Sequence, residues 1–263
     1  MIHKRSDMGY KANRRVETSI KTFEIIERLK QGDPVGVSEL ASEMDMSKSI
    51  VHNHLSTLRE LGYITKIEDK YALSLEFFTL GTDVRSKAPL YKFGRQVAEH
   101  SSSDLAAPII IAQKFDNETI VIYRTNGTEI HIPDLELGAT AKLGRTLPGV
   151  AILRTMDKGD IDDEAVSHDH DHPELTPTTE SDEYVIGNVT TTDSVSAVAS
   201  PVTVQDDVIG SICVLSPQAS SSAIVDQIVP EITSIRSQLE SQLKYNWSTN
   251  QSFATIKHSW YGD

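Results

Sequence analysis

The chain has 263 residues, with 25 Lys+Arg against 38 Asp+Glu and a formal charge of −13. At 38% hydrophobic and 24% charged it reads as globular rather than disordered or fibrous, and its length suits about two domains. No apolar run is long enough to span a bilayer, no apolar h-region follows the basic N-terminus, and Cys213 stands alone. These features exclude an intrachain disulfide framework and a cysteine-based zinc ribbon, and lead to the expectation of a cytoplasmic protein with no membrane partner.

The charge is unevenly spread. Residues 1–75 hold 12 Lys+Arg and 11 Asp+Glu, a net of +1, whereas residues 76–263 hold 13 and 27, a net of −14. An acidic body repels a polyanion, but a near-neutral N-terminal quarter can still turn a basic face to one. The acidic, Thr-, Ser- and Asp-rich body would also suit a salt-rich cytoplasm.

From the N-terminus, Lys4, Arg5, Lys11, Arg14 and Arg15 form a basic arm able to follow a phosphate backbone. Ile20, Phe23, Ile26 and Leu29 recur at helical spacing, and Gly32 before Asp33-Pro34 ends that helix. Val37, Leu40, Ala41 and Met44 mark a short second helix, and Asp45-Met46-Ser47 turns into a third with Ser47 as its cap. The third helix has the apolar stripe Val51, Leu55, Leu58 and Leu61. At about 100° per residue, Ser49, His52, Asn53 and Ser56 fall on the opposite side. Gly62 ends the helix, and Tyr63–Ile67 pairs with Lys70–Leu73 across Glu68-Asp69 as a hairpin.

Helix, short helix, tight turn, helix and two-stranded wing describe a winged helix-turn-helix. In such a module the second helix of the pair enters the major groove, its N-terminal residues reaching base edges. Asn53 can pair bidentately with adenine and His52 can donate to guanine or to phosphate. Lys48 and the Ser47 cap are placed for phosphate contacts, and Ser49 and Ser56 line the same ridge. Lys66 and Lys70 flank the wing, whose acidic tip argues against deep minor-groove insertion. A solvated helix face is the alternative for each residue. His54, beside Ile50, reads as a partly buried structural histidine.

The segment SELASEMDMSKSIVHNHLSTLRELGYITKIEDKYALS resembles the DNA-binding domain of IclR-type transcriptional regulators. The resemblance rests on Ser47-Lys48-Ser49-Ile50-Val51, Leu58, Leu61-Gly62-Tyr63 and Tyr71-Ala72-Leu73. Leu75–Arg85 resembles the linker helix of that family, Leu90–Ser103 suggests a packing helix, and Ala107–Gln113 and Thr119–Arg124 read as strands. Leu143–Leu153 (LGRTLPGVAIL) is similar to the segment that opens the family's ligand pocket, with Gly144 where a His is usual and Val150 where a Lys is usual. Val195–Gly210 and Ser211–Pro217 resemble its later strands. Ala223–Lys244, with Ile224, Ile228, Ile232, Ile235, Leu239 and Leu243 in register, reads as a closing helix.

The resemblance implies an α+β chain. A winged helix-turn-helix occupies residues 1–74, a linker helix 75–89, a GAF-like effector-binding domain with an antiparallel sheet 90–245, and a tail 246–263. It implies a homo-oligomer, a dimer or tetramer, that binds a double-stranded DNA operator and responds to a small-molecule effector such as an organic or sugar acid. Arg145 and Thr146, beside Gly144 and Gly149, are expected to hold an anionic group, since a guanidinium can clamp a carboxylate. Ser196, Ala199, Ser200 and Cys213 are expected to complete the wall. A surface loop charge is the alternative reading of Arg145.

Three further signals stand outside that scheme. His168-Asp169-His170-Asp171-His172 alternates metal-ligand types, but in an acidic, Pro- and Thr-rich stretch that reads as a solvated loop. Cys213, between Ile212 and Val214, reads as a buried small residue rather than a redox sensor. The segment Tyr245–Asp263, with Trp247 and Trp260, shows no pattern. No Gly-x-Ser-x-Gly, His-Glu-x-x-His or phosphate loop occurs, so neither an enzyme nor a cofactor is expected. The competing class is a metal- or ligand-binding sensor whose winged helix contacts protein.

Overall fold

The computed structural model describes residues 13–125, 130–156, 161, 181, 183–189, 195–217 and 224–249. Lys4, Arg5, Lys11, His168, His170, His172 and Trp260 lie outside them. The chain divides into two compact units between Arg85 and Ser86.

The first unit contains α1 (Glu17–Lys30), β1 (Val35–Gly36), α2 (Val37–Glu43), α3 (Lys48–Glu60), β2 (Ile64–Ile67), β3 (Lys70–Leu73) and α4 (Glu76–Lys87), whose last two residues lie beyond the division. Its core gathers Ile25 and Leu29 of α1, Leu40 and Ala41 of α2, Val51, Leu55 and Leu58 of α3, and Val35, Ile64 and Tyr71 of the sheet. The first helix buries only part of the stripe expected of it: Leu29 is in the core and Ile26 packs against it. Ile25, not Phe23, faces the core, and Phe23 is 60% exposed. Two residues along a helix turn about 200°, so packing Ile25 and Leu29 inward sends Phe23 outward. Leu61 likewise lies past the last turn of α3 and is exposed.

The hairpin Ile64–Ile67/Lys70–Leu73 forms in the expected register, Ile67 opposite Lys70. A third strand, β1, adds Val35 opposite Tyr71 on the far edge of β3. Two residues carry no periodicity, which is why this strand is silent in the sequence.

The second unit is built on a six-stranded antiparallel sheet in the order β6-β5-β4-β9-β8-β7. Its helices are α5 (Pro89–Leu105), α6 (Leu147–Thr155) and α7 (Val229–Thr249), and its strands β4 (Ile109–Phe115), β5 (Glu118–Arg124), β6 (Thr140–Lys142), β7 (Val185–Asn188), β8 (Val195–Val204) and β9 (Asp207–Pro217). Side chains alternate across a strand, so each strand feeds two cores. Ile109, Ile111, Val198, Val202, Ile212 and Val214 join Leu90 and Ala98 of α5 and Ile232, Ile235, Leu239 and Leu243 of α7. Ile110, Val121, Ala197, Ala199, Cys213 and Leu215 join Leu147 and Ala151 of α6.

Gln205 and Asp206 both take positive φ, which gives the tight turn between β8 and β9. The closing helix opens with a π turn, Ile224–Ile228, and continues as α7 from Val229, with Pro230 just past the junction. The helix runs to Thr249, so the first residues of the expected tail are helical.

Candidate functional site

Ser47 caps α3 by accepting a hydrogen bond from the Ile50 backbone N–H at 3.3 Å. This fixes the helix start and leaves its outer face to solvent. Ser47, Lys48, Ser49, His52, Asn53 and Ser56 are all exposed, while Val51, Leu55 and Leu58 on the opposite side are 0%, 0% and 4% exposed. His52 and Ser56 are one helical turn apart, with Nδ1 3.4 Å from Oγ. The structure therefore brings the expected ridge together on one surface.

Lys66 and Lys70 are exposed on the wing, and Lys66 Nζ lies 3.6 Å from Asp69 Oδ1. Arg14 and Arg15 are exposed just before α1. Arg28, by contrast, is held by Glu43 at 2.5 and 3.0 Å and by Glu39 at 3.6 Å, tying α1 to α2. These contacts raise the Arg28 pKa and lower that of Glu43, each through their shared hydrogen bond. His54 turns inward toward α1, with Nδ1 2.8 Å from Thr22 Oγ1. Burial, and then the Lys21 charge, push its pKa down.

α4 has no buried residue. Leu75, Phe78 and Val84 are 82%, 67% and 52% exposed, and Phe23 adds a further uncovered ring on α1. Phe77 alone turns back, its ring 5.4 Å from that of Tyr63.

In the second unit the expected effector residues do not share one wall. Ala199 and Cys213 face each other in register and lie in the core beneath α6. Ser196 and Ser200 point to the other face by the two-residue alternation of β8. Ser196 Oγ donates to Asn188 Oδ1 at 3.1 Å, and Ser200 Oγ donates to the Glu183 carbonyl at 2.7 Å, where Arg236 Nη1 also donates at 3.1 Å. These two serines belong to the α7 side of the sheet. They cannot line a site with Ala199 and Cys213.

The Leu143–Leu153 segment has a specific build. Leu143–Arg145 forms a 3-10 turn, and Thr146 caps α6 by accepting from the Gly149 N–H at 3.3 Å. A Cβ on Gly149 would sit 2.1 Å from the Leu143 carbonyl oxygen, so only glycine lets the turn fold onto the helix start. Gly144 and Arg145 are half-buried in that turn. Arg145 Nε donates to Asp134 Oδ2 at 3.1 Å, a partner the sequence did not suggest.

Cys213 is fully buried, and burial pushes its thiol up to about 12. Ser211 was also missed. It lies opposite Ala112 and Pro201, on the same side of β9 as Cys213, and its buried hydroxyl has no hydrogen-bond partner among the described residues. A serine at an inward position of an apolar strand is the signal that could have found it. Ala112, Ala197, Ala199, Ser211 and Cys213 thus make a face of small side chains beneath α6 with one unpaired hydroxyl. Among the described residues no group of three or more His, Cys, Asp or Glu is placed to hold a metal ion, and no helix is long and apolar enough to cross a membrane.

Residues 20–68 match the IclR helix-turn-helix domain family. The probable HTH-type transcriptional regulator ArcR of Halobacterium salinarum is 26% identical over 152 residues, 56% of this chain and 57% of that protein. The chain thus spans just over half the length of that relative. The fold of the Thermotoga maritima IclR covers 88% of this chain and all of that one, with a TM-score of 0.64 at 18% identity. An IclR homologue from Microbacterium hydrocarbonoxydans, complexed with 4-hydroxybenzoate, covers 85% and 98% with a TM-score of 0.63 at 14% identity. Residues 20–68 thus form an IclR-type helix-turn-helix domain, and the chain as a whole is similar in α+β fold to solved IclR regulators.

Proposed function

We propose that the chain binds a double-stranded DNA operator as a dimer or tetramer, and that a small acid held in the C-terminal unit changes that binding. The observation that carries the first half is the division of α3 into a buried stripe and an exposed row. Ser49, His52, Asn53 and Ser56 offer short donors and acceptors at the start of the helix, with Lys48 and the Ser47 cap beside them for phosphate. One such helix reads only a short half-site, so useful specificity needs two copies spaced about one turn of DNA or a multiple. The uncovered apolar side chains Leu75, just before α4, and Phe78 and Val84 on it support pairing, because a monomer would leave them in water. In this reading α4 is the linker helix as well as a dimer surface.

The second half rests on Arg145 and Thr146 at the start of α6 and on the small-residue face of Ala199, Ser211 and Cys213 below it. The homologue that holds 4-hydroxybenzoate supports the acid class for the ligand. An effector acts only through its different affinities for the two arrangements of the paired readers.

A mobility-shift experiment on DNA from upstream of the protein's own coding region tests the reading. The expected result is retention of one fragment against excess bulk competitor, altered by an active acid. Equal retention of all fragments, with and without small acids, removes it.

A further inference from the structure

Asp134 and Arg145 stand eleven residues apart in the chain, and Asp134 is carried on a short 3-10 turn, Pro133–Leu135. Two arginines hold this stretch. Arg124 of β5 donates to Glu136 Oε1 and to the Ile130 carbonyl, and Arg145 Nε donates to Asp134 Oδ2 at 3.1 Å. Between these contacts Ile132 and Leu135 are buried in the core that also holds Leu147, Ala151, Ala199 and Cys213. The turn therefore covers the α6 side of the sheet, and its two carboxylates are bound by cations from the sheet and from the start of α6.

The two pairs differ in the accessibility of their arginines, the two carboxylates being equally exposed at 37%. The Arg124 side chain is 12% exposed, whereas those of Arg145 and Asp134 are 31% and 37% exposed. A dissolved anion can reach the second pair without opening the core. Arg145 is held in place by the fold of its own segment. It directly precedes the Thr146 cap, in the turn that Gly149 allows to fold against the helix. A fixed guanidinium bound to a solvent-accessible carboxylate is already making the contact that a carboxylate ligand would make.

We propose that Asp134 is a built-in competitor for the anion-recognition group Arg145. In the ligand-free chain its carboxylate takes the place of the effector's. An entering carboxylate displaces it, and the freed Asp134 changes the hold on a turn whose neighbours Ile132 and Leu135 belong to the core beneath α6. This rests on the reading of Arg145 as the effector clamp. It adds that the affinity for acids is set by an internal rival.

The test compares the full-length protein with Asp134→Asn and with Arg145→Gln. Acetate, pyruvate and benzoate serve as probes, each titrated against chloride at equal ionic strength and followed by thermal shift and calorimetry. An exposed ion pair contributes up to about 1 kcal/mol, so Asp134→Asn is expected to bind the preferred probe about two- to five-fold more tightly than the wild type. Arg145→Gln is expected to lose the response while keeping its circular dichroism spectrum. If Arg145→Gln abolishes binding but Asp134→Asn does not tighten it, the clamp stands and the competitor is overturned. If Arg145→Gln binds as well as the wild type, both fall. Absence of any carboxylate response in Asp134→Asn likewise overturns the proposal.

Discussion

The Thr22 hydroxyl of α1 lies 2.8 Å from Nδ1 of His54 on α3. The same hydroxyl donates its one proton to the Thr18 carbonyl at 2.9 Å, so Nδ1–H of His54 is the donor in the bond between the two helices. The basic nitrogen of the neutral ring is then Nε2. Any proton taken up there adds charge to a half-buried ring already facing Lys21.

A pH-dependent stability follows from this arrangement. The folded-state pKa of His54 is lowered from 6.5, first by burial and then by Lys21, so the unfolded chain binds the proton more readily. The stabilisation is whole above pH 6.5 and is lost as pH falls through 6.5 toward the lower folded value. Thermal denaturation at pH 7.5 and 5.5 should show a larger drop in Tm for the wild type than for His54→Gln. Equal drops would show that His54 titrates alike in both states.

His52 and Asn53 project from the exposed side of α3 and carry none of its core contacts. The double variant His52→Ala/Asn53→Ala should keep its circular dichroism spectrum and melting temperature. Each lost base contact costs about 1–3 kcal/mol, so operator affinity should fall at least about ten-fold while binding to random DNA changes little. Mobility shifts with specific and random duplexes separate the two.

The ridge of α3 was legible because Val51, Leu55 and Leu58 sit at strict helical spacing and every residue between them is polar. α1 was less so. Ile20, Phe23, Ile25, Ile26 and Leu29 admit two stripes, and only tertiary packing chooses the one through Ile25. In the sheet the error was one of parity. Ala199 and Ser200 are neighbours in sequence, and in a strand neighbours face opposite ways. The contact between Arg145 and Asp134 depends on how the chain from β5 to α6 folds back, and no local pattern encodes that.

Gly149 was expected beside an anion, yet its geometry gives it a packing role. A methyl there meets the Leu143 carbonyl oxygen at 2.1 Å, and the obstacle is backbone that cannot rotate away. Gly149→Ala should destabilise the C-terminal unit by about 1–3 kcal/mol, the range of overpacking in a closed site. Urea denaturation gives the value, and a change below about 0.5 kcal/mol would mean that the turn and α6 separate easily.

Phe78 on α4 and Leu75 just before it are 67% and 82% exposed, and a pair of such helices would remove both from water. Phe78→Asp introduces a charge at that surface without touching the core of the first unit. Analytical ultracentrifugation should show a shift toward a smaller species, with operator affinity falling in step because one half-site per molecule is too little. An unchanged sedimentation profile would move the pairing surface elsewhere.

The wing offers a charge experiment in the opposite direction, a gain rather than a loss. Lys66 is 3.6 Å from Asp69, and the Asp69 side chain is fully open to solvent, so the pair is weak as a stabilising contact. Its effect on DNA is larger, because the carboxylate sits beside a cation that would otherwise meet phosphate, and repels the duplex itself. Asp69→Asn should leave the melting temperature within about 0.5 kcal/mol of stability and strengthen binding to any sequence, specific or random. The logarithm of the binding constant should also fall more steeply with the logarithm of salt concentration, by about 0.9 for each new phosphate contact. Adding Lys66→Gln should return the slope to that of the wild type, which identifies Lys66 as the cation released. If Asp69→Asn alters neither slope nor affinity, the wing does not approach the backbone, and the contact surface contracts to α3 and the arm before α1.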